Sequence, residues 1–138
     1  MKQHQAALTI ETHGCSLHSI TDSVQKVVRA SGVRTGVCVV FIQHTSASLV
    51  IQENADPAVL RDLQRWMEEL APEQRDWEHT DEGPDDMPSH ARSAITRASE
   101  TMVVRDAALA LGTWQGLYVW EHRRAAHQRT VLVHVMGE

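Results

Sequence analysis

From Ala6 to Thr12 the chain sets Leu8 and Ile10 against Thr9 and Glu11, the period-two pattern of a half-buried strand. A second short strand is expected from Cys15 to Ile20, turned at Gly14. Ile20, Val24, Val27 and Val28 then recur at helical spacing, with Thr21-Asp22 as an N-cap pair and Gly32 as a stop. Val37 to Ile42 is continuously apolar and predicts a central strand covered on both faces. Alternation returns from Ser48 to Glu53, where Leu49 and Ile51 face one way. Asp56 and Pro57 then cap and open a second helix, which Pro72 ends. Val59, Leu63, Trp66, Met67 and Leu70 form its apolar face.

Glu73 to Ser89 is polar, acidic and broken by Gly83, Pro84 and Pro88, so a long loop is expected there, functional or disordered. Trp66 and Trp77 flank its start and favour a packed loop. A short helix should follow from Ser89 to about Ala98, then strands around Thr101 to Val104, Leu117 to His122 and Thr130 to Met136. The main elements run ββα-ββα-βββ, an α+β fold with mostly antiparallel pairing and two main helices.

With 138 residues, 42% of them hydrophobic, the chain is expected to form one domain over 1–138 with a self-sufficient core. No apolar stretch approaches the roughly 20 residues of a membrane helix, and the opening Met1-Lys-Gln-His-Gln lacks a signal peptide's apolar run. A cytoplasmic protein with no membrane partner is the expectation. Of the eighteen acidic residues, twelve lie between Glu53 and Asp86, while Lys and Arg are scattered without a basic stripe, which argues against nucleic acid. Cys15 and Cys38 form no close-spaced pair, and Cys38 reads as a buried, inert thiol. Nine histidines are many for this length and raise a metal or acid–base question.

Phosphate-cradling, dinucleotide, zincin and nucleophile-elbow motifs are all absent, so position must carry the chemistry. His44 follows directly on the most apolar strand, with Thr45, Ser46 and Ser48 behind it; this is either a site mounted on a rigid strand or a turn. Glu53 and Asn54 end the next strand and are placed to face the same pocket, whereas Asp56 has a cap to form. His79 to His90 holds two histidines and four carboxylates, a solvated loop or a cation site. Glycines around Thr113, Trp114 and Gln115 suit close approach of backbone to a ligand, or a tight turn. Arg123 and Arg124 offer phosphate partners or solvated charge. His44, His90 and His122 come from separate elements, each near an element's end, and three imidazoles with an open position would make a catalytic zinc site.

The stretches Gln43-His-Thr-Ser-Ala-Ser-Leu49, Glu53-Asn-Ala-Asp-Pro57, His79 with Glu82-Gly and Asp85-Asp-Met-Pro-Ser-His90, Leu111-Gly-Thr-Trp-Gln-Gly116, Glu121-His-Arg123 and Gly137-Glu138 occur in an order that resembles the YjbQ family of secondary thiamine-phosphate synthases. The resemblance implies two packed sheets, a homotrimer and a pocket lined by His44, Glu53, His79, Asp86, His90 and His122. It also implies an activity that joins a pyrimidine pyrophosphate to a thiazole phosphate and releases pyrophosphate.

Combined with the candidates above, this gives a definite expectation. His44, His90 and His122 hold a divalent metal, zinc or a similar ion, with magnesium the alternative that pyrophosphate chemistry favours. Glu53, Asp86 and His79 are the catalytic candidates; Ser46, Asn54, Thr113, Gln115 and Arg123 contact a small phosphorylated metabolite. The other readings are a metal-dependent hydrolase of such a metabolite, or a trimeric binding protein that turns nothing over.

Overall fold

The computed structural model describes residues 1–138. The elements are β1 (Lys2–His13), β2 (Ser16–Ser19), α1 (Thr21–Ser31), β3 (Thr35–Ile42), β4 (Ala47–Glu53), α2 (Pro57–Leu70), α3 (Asp86–Ile95), β5 (Ser99–Arg105), β6 (Ala108–Leu109), β7 (Gln115–Glu121) and β8 (Ala126–Gly137). They form an α+β fold with three helices and two sheets, a five-stranded one ordered β1-β8-β3-β5-β6 and a three-stranded one ordered β2-β7-β4. Every strand pair is antiparallel. No helix is long and apolar enough to cross a membrane.

The core lies between the sheets. Cys38, Val40 and Ile42 of β3 and Val131, Val133 and Val135 of β8 point into it, to meet Val24 and Val28 of α1 and Leu49, Leu117 and Val119 of the smaller sheet. Alternation along β8 thus comes from one buried and one outward row.

Several expectations shift. β3 is central, as its sequence predicts, but only one of its faces is covered: Phe41 is 44% exposed, and no helix packs over the outer side of the larger sheet. Thr21 does not cap α1; Ile20 takes that position, and the Thr21 hydroxyl bonds both backbone groups of Leu117 instead. Gly32 stops the helix with φ 72°, a left-handed turn that glycine adopts without strain. Asp56 caps α2 as expected, its Oδ1 accepting from the Ala58 N–H at 2.9 Å. α2 packs on the smaller sheet, where its Gln64 accepts from Trp120 Nε1, yet it buries only Met67 and leaves Trp66 and Leu70 half exposed. α3 starts three residues early, at Asp86; Pro88 fits its first turn, where no N–H is required. The two-residue β6 was not anticipated.

The C-terminus is pinned. Arg34 and Thr35 donate backbone N–H groups to the Glu138 carbonyl, and Gly36 faces Gly137 across β3 and β8. A Cβ on Gly36 would come 2.0 Å from the Met136 carbonyl oxygen, so a side chain there would force the strands apart.

Candidate metal centre

Two inward-facing rows end in a charge. Leu117 and Val119 of β7 lead to Glu121, and Val135, Val133 and Val131 of β8 lead to Arg129. All are buried, so the two charges must find each other. Arg129 Nε and Nη2 grip Glu121 Oε1 and Oε2 at 2.7 and 2.5 Å, and Thr12 Oγ1 donates to Oε1 at 2.6 Å. The backbone N–H groups of His122 and Arg123 both donate to Oε2 at 3.0 Å. Burial pushes the Glu121 carboxyl upward, but the Arg129, Thr12 and backbone donors outweigh it and hold it below the ordinary carboxylate value.

This pair aims the polar groups beyond it in two directions. Through its own Nη2, Arg129 donates to the Ser46 carbonyl and hydroxyl, which fixes the chain after β3. That places the Thr45 carbonyl against His90 Nδ1 at 3.1 Å. Through Glu121 the turn after β7 is fixed, and Arg123 Nη1 reaches Asp86 Oδ1 at 2.6 Å. Asp85 completes the arrangement: its Oδ2 accepts from Arg123 Nε at 3.1 Å and from the Arg124 N–H at 2.9 Å.

At the point where these two arms meet, Asp86 Oδ2 lies 2.8 Å from His79 Nε2 and 3.1 Å from His90 Nε2. Glu82 Oε2 is 3.7 Å from His79 Nε2. One ligand atom from each of His79, Glu82, Asp86 and His90 lies within 4.8 Å of all the others. Asp86 is buried at the base, while His79 and Glu82 face solvent, so the cluster is open on one side. Desolvation pushes Asp86 upward, but the His79 bond and its other partners win and lower it; the same bond raises His79.

The donor set fits a metal. Only an acceptor faces His90 Nδ1, so in the neutral imidazole this nitrogen carries the proton and Nε2 presents its lone pair. That lone pair points at Asp86 Oδ2, another acceptor. Two acceptors at hydrogen-bond distance need a proton or a cation between them. Two imidazole nitrogens and two carboxylate oxygens suit zinc or a similar transition ion better than magnesium, which prefers an all-oxygen shell.

The expected three-histidine set does not converge. His90 belongs to the cluster, but His44 and His122 are engaged elsewhere. His44 Nε2 accepts from the Thr130 N–H at 2.8 Å, Nδ1 sits 3.3 Å from Arg129 Nη1, and burial with that guanidinium lowers its pKa. Its imidazole ties β3 to β8. His122 is fully buried, shares a hydrogen bond of 2.8 Å with Ser48 Oγ, and burial drives its pKa to about 3. Ser46 is held by Arg129.

Glu53, Asn54, Thr113 and Gln115 lie at the far end of the smaller sheet. Ala47 pairs with Glu121 and Glu53 with Gln115, six residues further on, or about 20 Å along the strands. There, Glu53 Oε2 accepts from the Ala55 N–H, Asn54 Nδ2 donates to the Thr113 and Gln115 carbonyls, and Gln115 Oε1 accepts from the Gly112 N–H. Those residues staple a turn and do not share a pocket with His90. Arg123, expected on phosphate, is instead occupied by Asp85 and Asp86. Glu82, only one of four carboxylates in the acidic segment, and the Glu121–Arg129 pair belong to the candidate site but were not singled out from the sequence. A charge at the end of each inward apolar row was the available signal for the pair.

A family profile described as UPF0047 protein YjbQ-like matches residues 6–138. A UPF0047 protein of Synechocystis is 55% identical over 99% of this chain and 94% of its own length, and YjbQ of Salmonella typhimurium is 38% identical over 98% and 99%. Among solved structures, a YjbQ/UPF0047 protein of Clostridium acetobutylicum superposes with a TM-score of 0.89 at 32% identity, covering 95% of this chain and 99% of that one. A YjbQ-like protein of Sulfolobus solfataricus gives 0.87 at 25% identity, covering 99% of each. Length, order of elements and sequence therefore agree from the first strand to the last residue, and the chain belongs to the YjbQ-like UPF0047 family.

Proposed function

We propose that the protein is a metal-dependent enzyme acting on a small phosphorylated metabolite, with His79, Glu82, Asp86 and His90 as the metal's protein ligands. The observation that carries this reading is the facing of two acceptors, His90 Nε2 and Asp86 Oδ2, inside a cluster open to solvent. A divalent ion bound there would neutralise charge on a phosphate group as it leaves.

The reaction we favour is that implied by the family resemblance: the ring nitrogen of a thiazole phosphate attacks the methylene carbon of a pyrimidine pyrophosphate, the carbon–oxygen bond breaks, and pyrophosphate departs. An aromatic ring nitrogen attacks through its lone pair and has no proton to lose. A site whose expected base, Glu53, lies at the other end of the sheet suits this chemistry. Asp86 and Arg123 hold the base of the cluster rigid, while His79 and Glu82 meet the substrate side.

Hydrolysis of the same pyrophosphate is the second reading. It draws on the open side of the same cluster, where a metal held by these four residues would lower the pKa of a bound water. Incubating zinc-loaded protein with both substrates and measuring thiamine phosphate and pyrophosphate tests the proposal. Thiamine phosphate formed together with an equal amount of pyrophosphate supports transfer. Pyrophosphate without thiamine phosphate supports hydrolysis instead, and no turnover by the metal-loaded protein ends both.

We further propose that the working form is the homotrimer that the resemblance implies. The uncovered face of the larger sheet supports association, since Phe41, Val103 and Leu132 lie there with no packing partner in the chain. A monomeric mass by light scattering would refute it.

A further inference from the structure

His79 belongs to the metal cluster and also to the wall of a cavity of about 520 Å³, shared with Trp77, Glu78, Asp81 and Met87. The cavity therefore adjoins the metal position. Trp77 is half-buried, and its Nε1 donates to the Pro72 carbonyl at 3.1 Å, which holds the indole in place. Arg75 stands over the same ring, its Cζ 5.2 Å from the centroid, but it lines a second cavity and not this one. The first cavity thus offers an indole and a thioether for packing, and no guanidinium or ammonium.

Glu78 and Asp81 are exposed, and neither carboxylate bonds to or pairs with another group of the chain. A phosphate placed among these residues would meet two negative charges with no Lys or Arg in the wall to offset them. A purely apolar ring would pack on Trp77 and Met87 but offer the carboxylates nothing. A flat ring that carries an amino group uses both kinds of wall, its face on the indole and its N–H donors on the carboxylates.

We propose that this cavity is the ring-binding half of the metal site. It stacks an amino-substituted aromatic heterocycle on Trp77, with the amino group held by Glu78 and Asp81. This assignment rests on the reading of the cluster given above and adds an orientation to it: the ring lies in the cavity, and the phosphate end turns past His79 toward the metal.

4-Aminopyrimidine is a suitable probe, with 4-methylpyrimidine as the ring of the same shape that lacks the donors. Neither carries phosphate, so binding is read apart from turnover. Titration of the intact protein, followed by saturation-transfer NMR, should show the amino ring binding at least about tenfold more tightly than the methyl ring. Trp77→Leu should lose both rings, whereas Trp114→Leu, at an exposed tryptophan beyond the far end of the smaller sheet, should keep them. Because Trp77→Leu also removes the Pro72 bond, a second variant combines Glu78→Gln with Asp81→Asn. It should melt like wild type and bind the two rings equally.

Equal affinity for the two rings in wild type, or an amino preference that survives the double variant, would overturn the proposal. So would binding lost equally in Trp114→Leu, or no binding of either ring up to roughly 10 mM. Failed ring binding beside turnover by the zinc-loaded protein would strike this cavity alone. Ring binding without turnover would keep the cavity and strike the reaction.

Discussion

The two ends of the β4–β7 ladder hold similar residues and use them differently. At the Glu53 end, carboxylate and amide side chains bond only to backbone groups: Glu53 and Gln115 each close their own turn, and Asn54 holds the Thr113 and Gln115 carbonyls opposite. At the Glu121 end, side chains bond to other side chains, and the interaction passes from a buried ion pair through Arg123 out to an open cluster. A side chain consumed by backbone groups has no capacity left for a ligand. One aimed by remote partners at another acceptor still does.

The strongest way to break this contrast is to cut the buried pair. Arg129→Met leaves Glu121 charged and unpaired in the core, which should cost about 3–5 kcal/mol in denaturant unfolding. Adding Glu121→Gln should recover much of that loss, because the uncompensated charge is then gone. Failure to recover would mean that the loop geometry, not the charge, dominates.

Next in size is the cluster itself. His90→Ala should weaken zinc binding by more than the 10–100-fold expected from removing an outer partner, in a competition assay with a chelator. His44→Ala should stay within that outer range, since His44 acts through Thr130 and Arg129. Equal losses in the two variants would restore the three-histidine site.

His122 sharpens the comparison through pH. Its folded pKa of about 3 lies below the ordinary 6.5, so the unfolded chain takes up a proton first as pH falls. The stability this gives is complete above pH 6.5 and is lost between there and about 3, at about 1.4 kcal/mol per pH unit. Unfolding measured across that window should show a shallower slope for His122→Gln than for wild type. The smallest effect belongs to the far end: Asn54→Ala should cost about 1 kcal/mol of stability and leave zinc affinity unchanged. A changed zinc affinity there would mean that the two ends communicate.

Much of the frame was legible in the chain. Alternation in Ala6 to Thr12 marked β1, the Asp56-Pro57 pair marked the start of α2, and Gly32 marked the end of α1, because each is a local rule. The boundary of α3 was misplaced because Pro88 reads as a breaker unless it falls in a first turn, and Val37 to Ile42 looked covered on both faces because its outer residues are apolar as well. Of the clustered side chains, the sequence offers His79 and Asp86 as catalytic candidates and His90 as a metal ligand, while their grouping with Glu82 in place of His44 and His122 was not legible.

By itself, then, the sequence determined the strands, the main helices, the α+β class and the placing of polar residues at element ends, since periodicity and capping act within a few residues. Only the tertiary structure decided which histidines meet. Strand register placed Thr130 on His44 and Ser48 on His122, and the Glu121–Arg129 pair brought Thr45 and Arg123 to the two sides of the His90–Asp86 contact. The physical reason is that an imidazole's role is set by what faces its two nitrogens: Asp86 reaches His90 within one helix, but Thr45, Thr130 and Ser48 arrive from parts of the chain that no local pattern connects.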